Sequence, residues 1–245
     1  PEVVQYQVSD WDFIITRAEK AGMFCLVEDG VFRVEKPDPA GLATATLTYG
    51  KDIINLDLKI DARTQVKKVT SSTWDYSSQE VVSADVDEVT TTAQGNLDGA
   101  DLAEVSAVAN LELQHSGFLQ QGEIEAWAES AMIKSRFSKI RGTVRCQGSE
   151  RLKPAILVEV KGLGERFNGL AFISGVRHIL ARGDWITTVQ VGMRPEWLYQ
   201  LFPVNSPTAV GYQPSINGLH TGVVPQLQDD PDGEDRILVR LPAIS

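Results

Sequence analysis

Alternating apolar and polar positions predict that this chain is built mainly from β-strands. The clearest alternation covers 54–61, where the apolar positions are Ile54, Leu56, Leu58 and Ile60. Because successive side chains of a strand point to opposite faces, this pattern indicates one buried face and one face toward solvent. Further strands are predicted at 65–74, 81–86, 142–146, 156–160, 170–180 and 185–193. Short strands separated by glycine turns favour an antiparallel barrel or sandwich.

Helical spacing of apolar residues predicts two longer helices, at 9–21 and 122–138. Ser9 is a suitable N-cap for the first helix, and Gly22 ends it. The second helix carries acidic residues early and basic residues late, an order that suits the helix dipole. A short helix is predicted at 195–202.

Turn residues divide the rest of the chain. Asp29-Gly30 predicts a two-residue hairpin between strands at 23–28 and 31–35. Prolines and glycine indicate a loop at 36–41, and polar residues predict a long surface loop at 89–101. Near the end, 203–214 is typical of a linker, and two strands at 218–226 and 236–241 flank an acidic turn.

Composition indicates a globular protein and limits the classes of partner that it could bind. The chain has 245 residues, of which 42% are hydrophobic and 23% are charged, and its formal net charge is −10. This charge argues against nonspecific nucleic-acid binding, and the basic stretch 134–145 is interpreted as a solvated helix end. Without an apolar run of about 20 residues or a signal segment, we expect a soluble protein assembled in the cytoplasm.

Candidate chemistry is sparse. The histidines His115, His178 and His220 lie in different segments without zinc-like spacing. The glycine-rich stretch 162–169 favours a hairpin over a phosphate loop, and the acidic stretch 230–235 favours a turn over a calcium loop. We therefore expect no cofactor, metal ligand or catalytic residue, although only spatial separation would reveal the carboxylate pair of a glycosidase.

The two cysteines, Cys25 and Cys146, are far apart in sequence. Such a pair implies no disulfide framework, and buried free thiols are the favoured interpretation. The start at Pro1 and the end in strand-like sequence lead us to expect that the chain was cut from something longer.

Four segments, taken in order, resemble a known family. They are 4–24 with its Gln-Tyr and Ser-Asp-Trp pattern, 69–79 with its Trp-Asp turn, the glycine-rich and Ile-Ser-Gly-Val-Arg-His stretch of 162–193, and 218–242. Together they resemble the VgrG-like proteins and phage tail hubs, which form the baseplate hub and spike root of contractile injection systems. No single segment is specific, but their order covers essentially the whole chain.

The resemblance implies an α+β fold that is mainly β with a few helices. Hub-type antiparallel β-barrel domains with a helical insertion would be followed by the start of an OB-fold. The expected division is 1–48 as a helix-hairpin part of the hub domain, 49–202 as the hub barrel domain with its inserted helix, 203–215 as a linker and 216–245 as the start of the OB-fold.

The resemblance also implies a structural role without enzymatic activity. A homotrimer with two similar barrels per subunit would join a sixfold inner tube to a threefold spike. The expected partners are the inner tube protein, baseplate proteins and a spike tip or effector cargo, with no nucleic acid and no membrane anchoring. Assembly would take place in the cytoplasm before the chain joins a virion-like or secreted injection particle.

Two loops supply the candidate interaction residues. They are Thr90, Gln94, Asn96 and Asp98 in the long polar loop, and Glu165, Arg166 and Asn168 in the glycine-rich hairpin. Two alternatives stay open. A surface carbohydrate-binding β-module would use Trp74, Trp185 or Trp197 as a stacking platform, and a cell-wall hydrolase would need two convergent carboxylates.

Overall fold

The computed structural model describes residues 5, 8–75, 77–91, 94–106, 110–115, 118–201, 222–228, 230–231, 233 and 236–240. Within these residues the helices are α1 (Asp10–Lys20), α2 (Gly99–Ser106), α3 (Gln121–Phe137) and α4 (Leu198–Leu201). The strands are β1 (Phe24–Glu28), β2 (Val31–Glu35), β3 (Ala45–Thr48), β4 (Ile53–Ile60), β5 (Lys68–Asp75), β6 (Glu80–Val86), β7 (Asn110–His115), β8 (Ile140–Gln147), β9 (Ile156–Lys161), β10 (Gly169–Ala181), β11 (Asp184–Val191), β12 (Val223–Gln226) and β13 (Leu238–Arg240). The prediction of a mainly β fold with a few helices is confirmed.

The largest sheet has six strands and curls into a half-barrel. Its order is β3-β9-β10-β11-β8-β4, and its side chains form an apolar core cluster. The buried residues of that core include Val144, Val158, Ile173, Val189 and Val191. The sheet is not wholly antiparallel, because β3, which the sequence patterns did not predict, pairs parallel to β9.

Strand β4 follows its predicted alternation from Leu56 onward, but its first residues differ. The pairing of β4 with β8 shifts register between Ile53 and Asn55. This irregularity buries Ile53 and turns Ile54 outward, leaving Ile54 54% exposed. The prediction that Ile54 lies on the buried face is therefore wrong, because a one-residue shift moves a side chain to the other face.

A second sheet of three strands packs against α3. Its order is β6-β5-β7, with β5 and β7 parallel. The long loop predicted at 89–101 ends at Asp98, because Asp98 Oδ1 accepts a hydrogen bond of 2.7 Å from Ala100 N and α2 begins at Gly99. The sequence patterns missed both α2 and β7.

The predicted helix and hairpin at the beginning of the chain are confirmed. Ser9 caps α1 by accepting a hydrogen bond of 3.1 Å from Asp12 N. The hairpin of β1 and β2 turns at Asp29 and Gly30, whose φ angles are 51° and 77°. Both positive angles are those of the turn that an Asp-Gly pair favours.

Helix α3 is confirmed within one residue of its predicted bounds. At its start, Glu123 Oε2 accepts a hydrogen bond of 3.0 Å from Gln120 N, which completes a capping box. Most of its second half is buried: α3 contacts β5, β6 and α1, and Phe137 at its end stacks on Phe172 of the half-barrel. This central position makes α3 the element that connects the layers.

The last described strands, β12 and β13, form an antiparallel pair, as predicted for the end of the chain. The predicted linker 203–214 and the predicted positions 218–221 and 241 lie outside the described residues. Of the helix predicted at 195–202, the described residues contain α4 at Leu198–Leu201, and residue 202 lies outside them. The domain boundaries and the start of an OB-fold stay predictions.

Candidate interaction surface

The two loops that the sequence singled out separately lie together in the structure. Gly95 N donates a hydrogen bond of 2.7 Å to Asn168 O, and Gln94 forms an antiparallel bridge with Gly169. Asn96 Nδ2 is 3.4 Å from Glu165 Oε2. We call residues 88–91, 94–98 and 163–168 the two-loop surface.

The seven candidate residues divide into two groups on this surface. Gln94 is buried and Asn168 is partly buried, and Asn168 Oδ1 accepts a hydrogen bond of 2.8 Å from Leu163 N. These two residues hold the loops in shape. The exposed candidates are Thr90, Asn96, Asp98, Glu165 and Arg166. The exposed group is available to a partner.

A glycine permits the close approach of the two loops. Gly95 has a φ angle of +73°, and a Cβ atom there would lie 2.3 Å from Arg166 O. A side chain at this position would meet backbone that cannot move without breaking the Gly95–Asn168 hydrogen bond. The joint between the loops therefore depends on glycine.

A cavity of about 500 Å³ adjoins the two-loop surface. Its lining includes charged residues that the sequence analysis did not name as interaction candidates. Lys139 Nζ donates a hydrogen bond of 2.7 Å to Leu97 O, and burial lowers the pKa of Lys139. Arg136 donates two hydrogen bonds, of 2.9 and 2.8 Å, to the Glu88 carboxylate. These contacts tie the long loop to the end of α3.

The interpretation of 134–145 as a solvated helix end is wrong for its first residues. Lys134 and Arg136 are buried, and each has a carboxylate partner from a distant segment, Glu19 for Lys134 and Glu88 for Arg136. Buried cations are retained where a partner compensates for lost hydration. The charge order along α3 indicated the cations, but the partners are set by the tertiary fold.

One histidine has a hydrogen-bond partner on the neighbouring strand, and the glycine-rich stretch forms the predicted hairpin. His178 Nδ1 lies 2.9 Å from Thr187 Oγ1, and the described residues contain no group of three or more His, Cys, Asp or Glu that could hold a metal. His220 lies outside the described residues. The stretch 162–169 connects β9 directly to β10, which confirms a hairpin.

Both cysteines lie in the described part of the chain and are free. Cys146 is buried in the half-barrel core, and burial raises its pKa to about 11. Cys25, on β1, is only partly buried, and burial also raises its pKa. The prediction of free thiols is confirmed for both residues, and the prediction that they are buried is confirmed for Cys146 and wrong for Cys25.

The three tryptophans of the carbohydrate-binding alternative differ in exposure. Trp197 is 7% exposed, and Lys134 Nζ lies 4.6 Å from the centre of its ring. Trp185 is partly buried, and Trp74 is exposed on β5. A ring covered in this way offers no face for sugar stacking, so Trp197 does not serve that alternative.

Among the described residues, no helix combines the length and the apolar character needed to cross a bilayer.

Comparison with solved structures defines the class of fold. The structure is similar to the tail protein from Neisseria meningitidis MC58, with a TM-score of 0.55 and 16% identity over 80% of this chain and 58% of that chain. It also matches the 43 kDa tail protein of prophage MuSo2 from Shewanella oneidensis, with a TM-score of 0.48 and 12% identity over 73% of this chain and 50% of that chain. The chain thus has the fold of the Neisseria tail protein and spans 58% of its length.

Comparison with family models gives the family. Residues 1–182 match the model of the Alg8 N-terminal domain, and the chain belongs to that family. No curated protein matches the chain. The family match does not confirm the resemblance to VgrG-like hubs, which stays a prediction.

Proposed function

We propose that this protein is a structural component of a tail-type injection apparatus. The observation that carries this proposal is the fold shared with the Neisseria tail protein, which extends over 80% of the chain. Fold alone does not define function, so the proposal also rests on the ordered sequence resemblance to tail hubs. Its expected location is within a virion-like or secreted particle after assembly in the cytoplasm.

Within such an apparatus, we propose the more specific role of a trimeric hub at the root of the spike. Three copies would join a sixfold inner tube to a threefold spike, with further contacts to baseplate proteins and a spike tip or effector cargo. The two-loop surface is the proposed site of contact with the tube or a neighbouring subunit. Its exposed candidates carry hydrogen-bonding and charged groups on a loop pair that is fixed at Gly95.

A docking role requires shaped surfaces and does not require a nucleophile. Several hydrogen bonds restrict the conformations of the two-loop surface. They join Gly95 to Asn168, Asn168 to Leu163, and Arg136 and Lys139 to the long loop. A surface that is already ordered loses less conformational entropy on binding. The local structure therefore favours contact with another protein, and we propose no enzymatic activity.

The carbohydrate-binding alternative is the second candidate. Its remaining support is the exposed ring of Trp74, which lies opposite Val81 on the neighbouring strand, together with the partly buried ring of Trp185. A single exposed ring is a weaker platform than the three that the sequence offered. Binding of soluble cell-wall oligosaccharides that is lost on Trp74→Ala would favour this candidate over the structural one.

The first test of the hub role is the mass of the purified protein, measured by light scattering after size-exclusion chromatography. A trimer is the expected result. A monomer at high concentration would argue against the trimeric hub, while leaving a monomeric tail component possible. The measurement needs no partner, so it separates self-assembly from contact with the tube.

The second test changes exposed side chains of the two-loop surface and keeps the hydrogen bond that joins its two loops. Thr90→Lys together with Arg166→Glu alters exposed side chains and leaves the Gly95 and Asn168 contacts in place. We expect particles purified from producing cells to lose the chain, as measured by immunoblot and electron microscopy. Asp184→Lys, at the exposed turn between β10 and β11, is the control. Normal incorporation of the double variant would contradict the proposed contact.

A further inference from the structure

One carboxylate joins three helices. The Glu19 carboxylate, on α1, forms an ion pair with Lys134 Nζ on α3, and its Oε2 accepts a hydrogen bond of 2.9 Å from Leu198 N at the start of α4. The backbone oxygen of Glu19 also accepts a hydrogen bond of 2.8 Å from Ser130 Oγ on α3. We call Glu19, Ser130, Lys134, Trp197 and Leu198 the Glu19 latch.

The ammonium of Lys134 holds the other side of the same segment. Lys134 Nζ donates a hydrogen bond of 3.1 Å to Glu196 O and lies 4.6 Å from the centre of the Trp197 ring. The side chain of Lys134 is 7% exposed and that of Glu19 is 20% exposed. Water therefore screens this pair less than it screens a surface ion pair.

The segment that the latch holds has little means of holding itself. Helix α4 has four residues, and a helix this short is unstable in isolation. Two of its side chains, Tyr199 and Leu201, are exposed. Its position is therefore set by the contacts of residues 196–198 with α1 and α3, which are the polar contacts of the latch and the packing of the Trp197 ring in an apolar cluster with Ala128 and Met132 of α3.

The same segment forms one wall of a groove of about 690 Å³. Glu19, Leu198 and Leu201 line one side of this groove, and Arg141 and Met193 are among the residues of the sheet side. Displacement of the segment would widen the groove and uncover the Trp197 ring. The latch thus holds one wall of this groove in place.

We propose that the Glu19 latch is a conformational switch that fixes or releases residues 196–201 as a unit, while the half-barrel stays folded. Removal of one member of a buried ion pair leaves the other charge uncompensated, which favours local opening. The proposal follows from the contacts of the described residues and does not depend on the tail role. It assigns to Glu19 a role in positioning residues 196–201, which no sequence pattern revealed.

Hydrogen–deuterium exchange of the full chain, read by mass spectrometry, tests the proposal. In Lys134→Met, we expect amides of 196–201 to exchange at least about tenfold faster, while those of β10 and β11 keep their rates. Glu19→Gln retains an oxygen that can accept from Leu198 N, so a smaller increase is expected. Lys68→Met, which removes the more exposed Lys68–Asp85 ion pair, is the matched control and should leave 196–201 unchanged.

Two outcomes would overturn the switch. Unchanged exchange at 196–201 in both latch variants would show that other contacts hold the segment. A parallel increase in β10 and β11 would show that Glu19 and Lys134 support the global fold and do not act on a local unit. Because Glu19→Gln is the milder change, it keeps the test informative if Lys134→Met does not fold.

Discussion

The half-barrel and the three-stranded sheet on α3 are stabilised in different ways. The half-barrel encloses a continuous apolar cluster that includes Val144, Ile173 and Val189. The contact between the three-stranded sheet and α3 contains buried polar side chains, among them Ser71, whose Oγ donates a hydrogen bond of 2.7 Å to Ile124 O. The first region depends mainly on apolar burial, and the second depends also on specific hydrogen bonds.

This difference has consequences for stability and function. Apolar burial is non-directional, so the half-barrel tolerates small shifts as long as its volume is filled. Buried hydrogen bonds are directional, and the loss of one partner leaves a desolvated group unpaired. The two-loop surface is joined to both regions, through Gly169 on the half-barrel and through Arg136 on α3. We expect the α3 side to open locally before the half-barrel does.

The largest expected effect is a cavity in the half-barrel. Ile173→Ala removes a side chain that is 0% exposed and should lower the free energy of unfolding by about 3–4 kcal/mol. Urea unfolding followed by circular dichroism measures it. Ile179→Ala, on the same strand but at a site that is 40% exposed, is the control and should change the free energy by less than about 1 kcal/mol. Similar losses for both variants would mean that this core is not the main source of stability.

A smaller effect is expected on the α3 side. Glu88→Gln removes the charge that pairs with the buried Arg136 guanidinium, and because the Glu88 side chain is 53% exposed we expect a loss of stability of about 1–2 kcal/mol, mostly through local opening. Hydrogen exchange should increase around α3 and the long loop and stay low in β10 and β11. Glu104→Gln, whose carboxylate pairs with Lys67 at the surface, should have little effect. Equal exchange in both regions would remove the distinction between them.

The same contrast explains what could be predicted from sequence. Alternation identified most strands of the half-barrel, and helical spacing identified α3, because both patterns reflect which side chains of a single segment are buried. Strand β7 and helix α2 were missed, since their positions depend on pairing with β5 and on the Asp98 cap. The sequence pattern also does not show that the two loops meet at Gly95, and it does not show which carboxylates pair with the cations of α3. Those features arise from residues about 50 to more than 100 positions apart.

The carboxylate of Asp61 allows a test of how stability depends on pH. Asp61 follows β4 and is 6% exposed, and the pKa of Asp61 is held well below its usual range, chiefly by the hydrogen bond from Arg63, with Arg141 contributing. Because the folded-state pKa is the lower one, this stabilisation is present above the unfolded-state pKa of about 3.9 and is lost as the pH falls below it.

We therefore expect Asp61→Asn to lower the free energy of unfolding by about 1 kcal/mol at pH 7 and by progressively less below about pH 4. Urea unfolding at several pH values compares the variant with the wild type. Asp184→Asn, at an exposed turn, serves as the control. A difference that stays constant between pH 7 and pH 3 would show that the charge of Asp61 is not responsible.

The smallest effect concerns thiol reactivity and leaves stability unchanged. Cys146 lies inside the half-barrel with a pKa raised to about 11 by burial, and its Sγ is 3.5 Å from Thr187 O. Cys25 lies on the β1–β2 hairpin and is only partly buried. Because the thiolate is the reactive form, a disulfide reagent at pH 8 should label Cys25 in the folded protein and reach Cys146 only after unfolding in urea. In Cys25→Ser, native labelling should disappear while the urea-exposed thiol remains, and rapid labelling of Cys146 in the folded variant would mean that the half-barrel opens as readily as the region around α3.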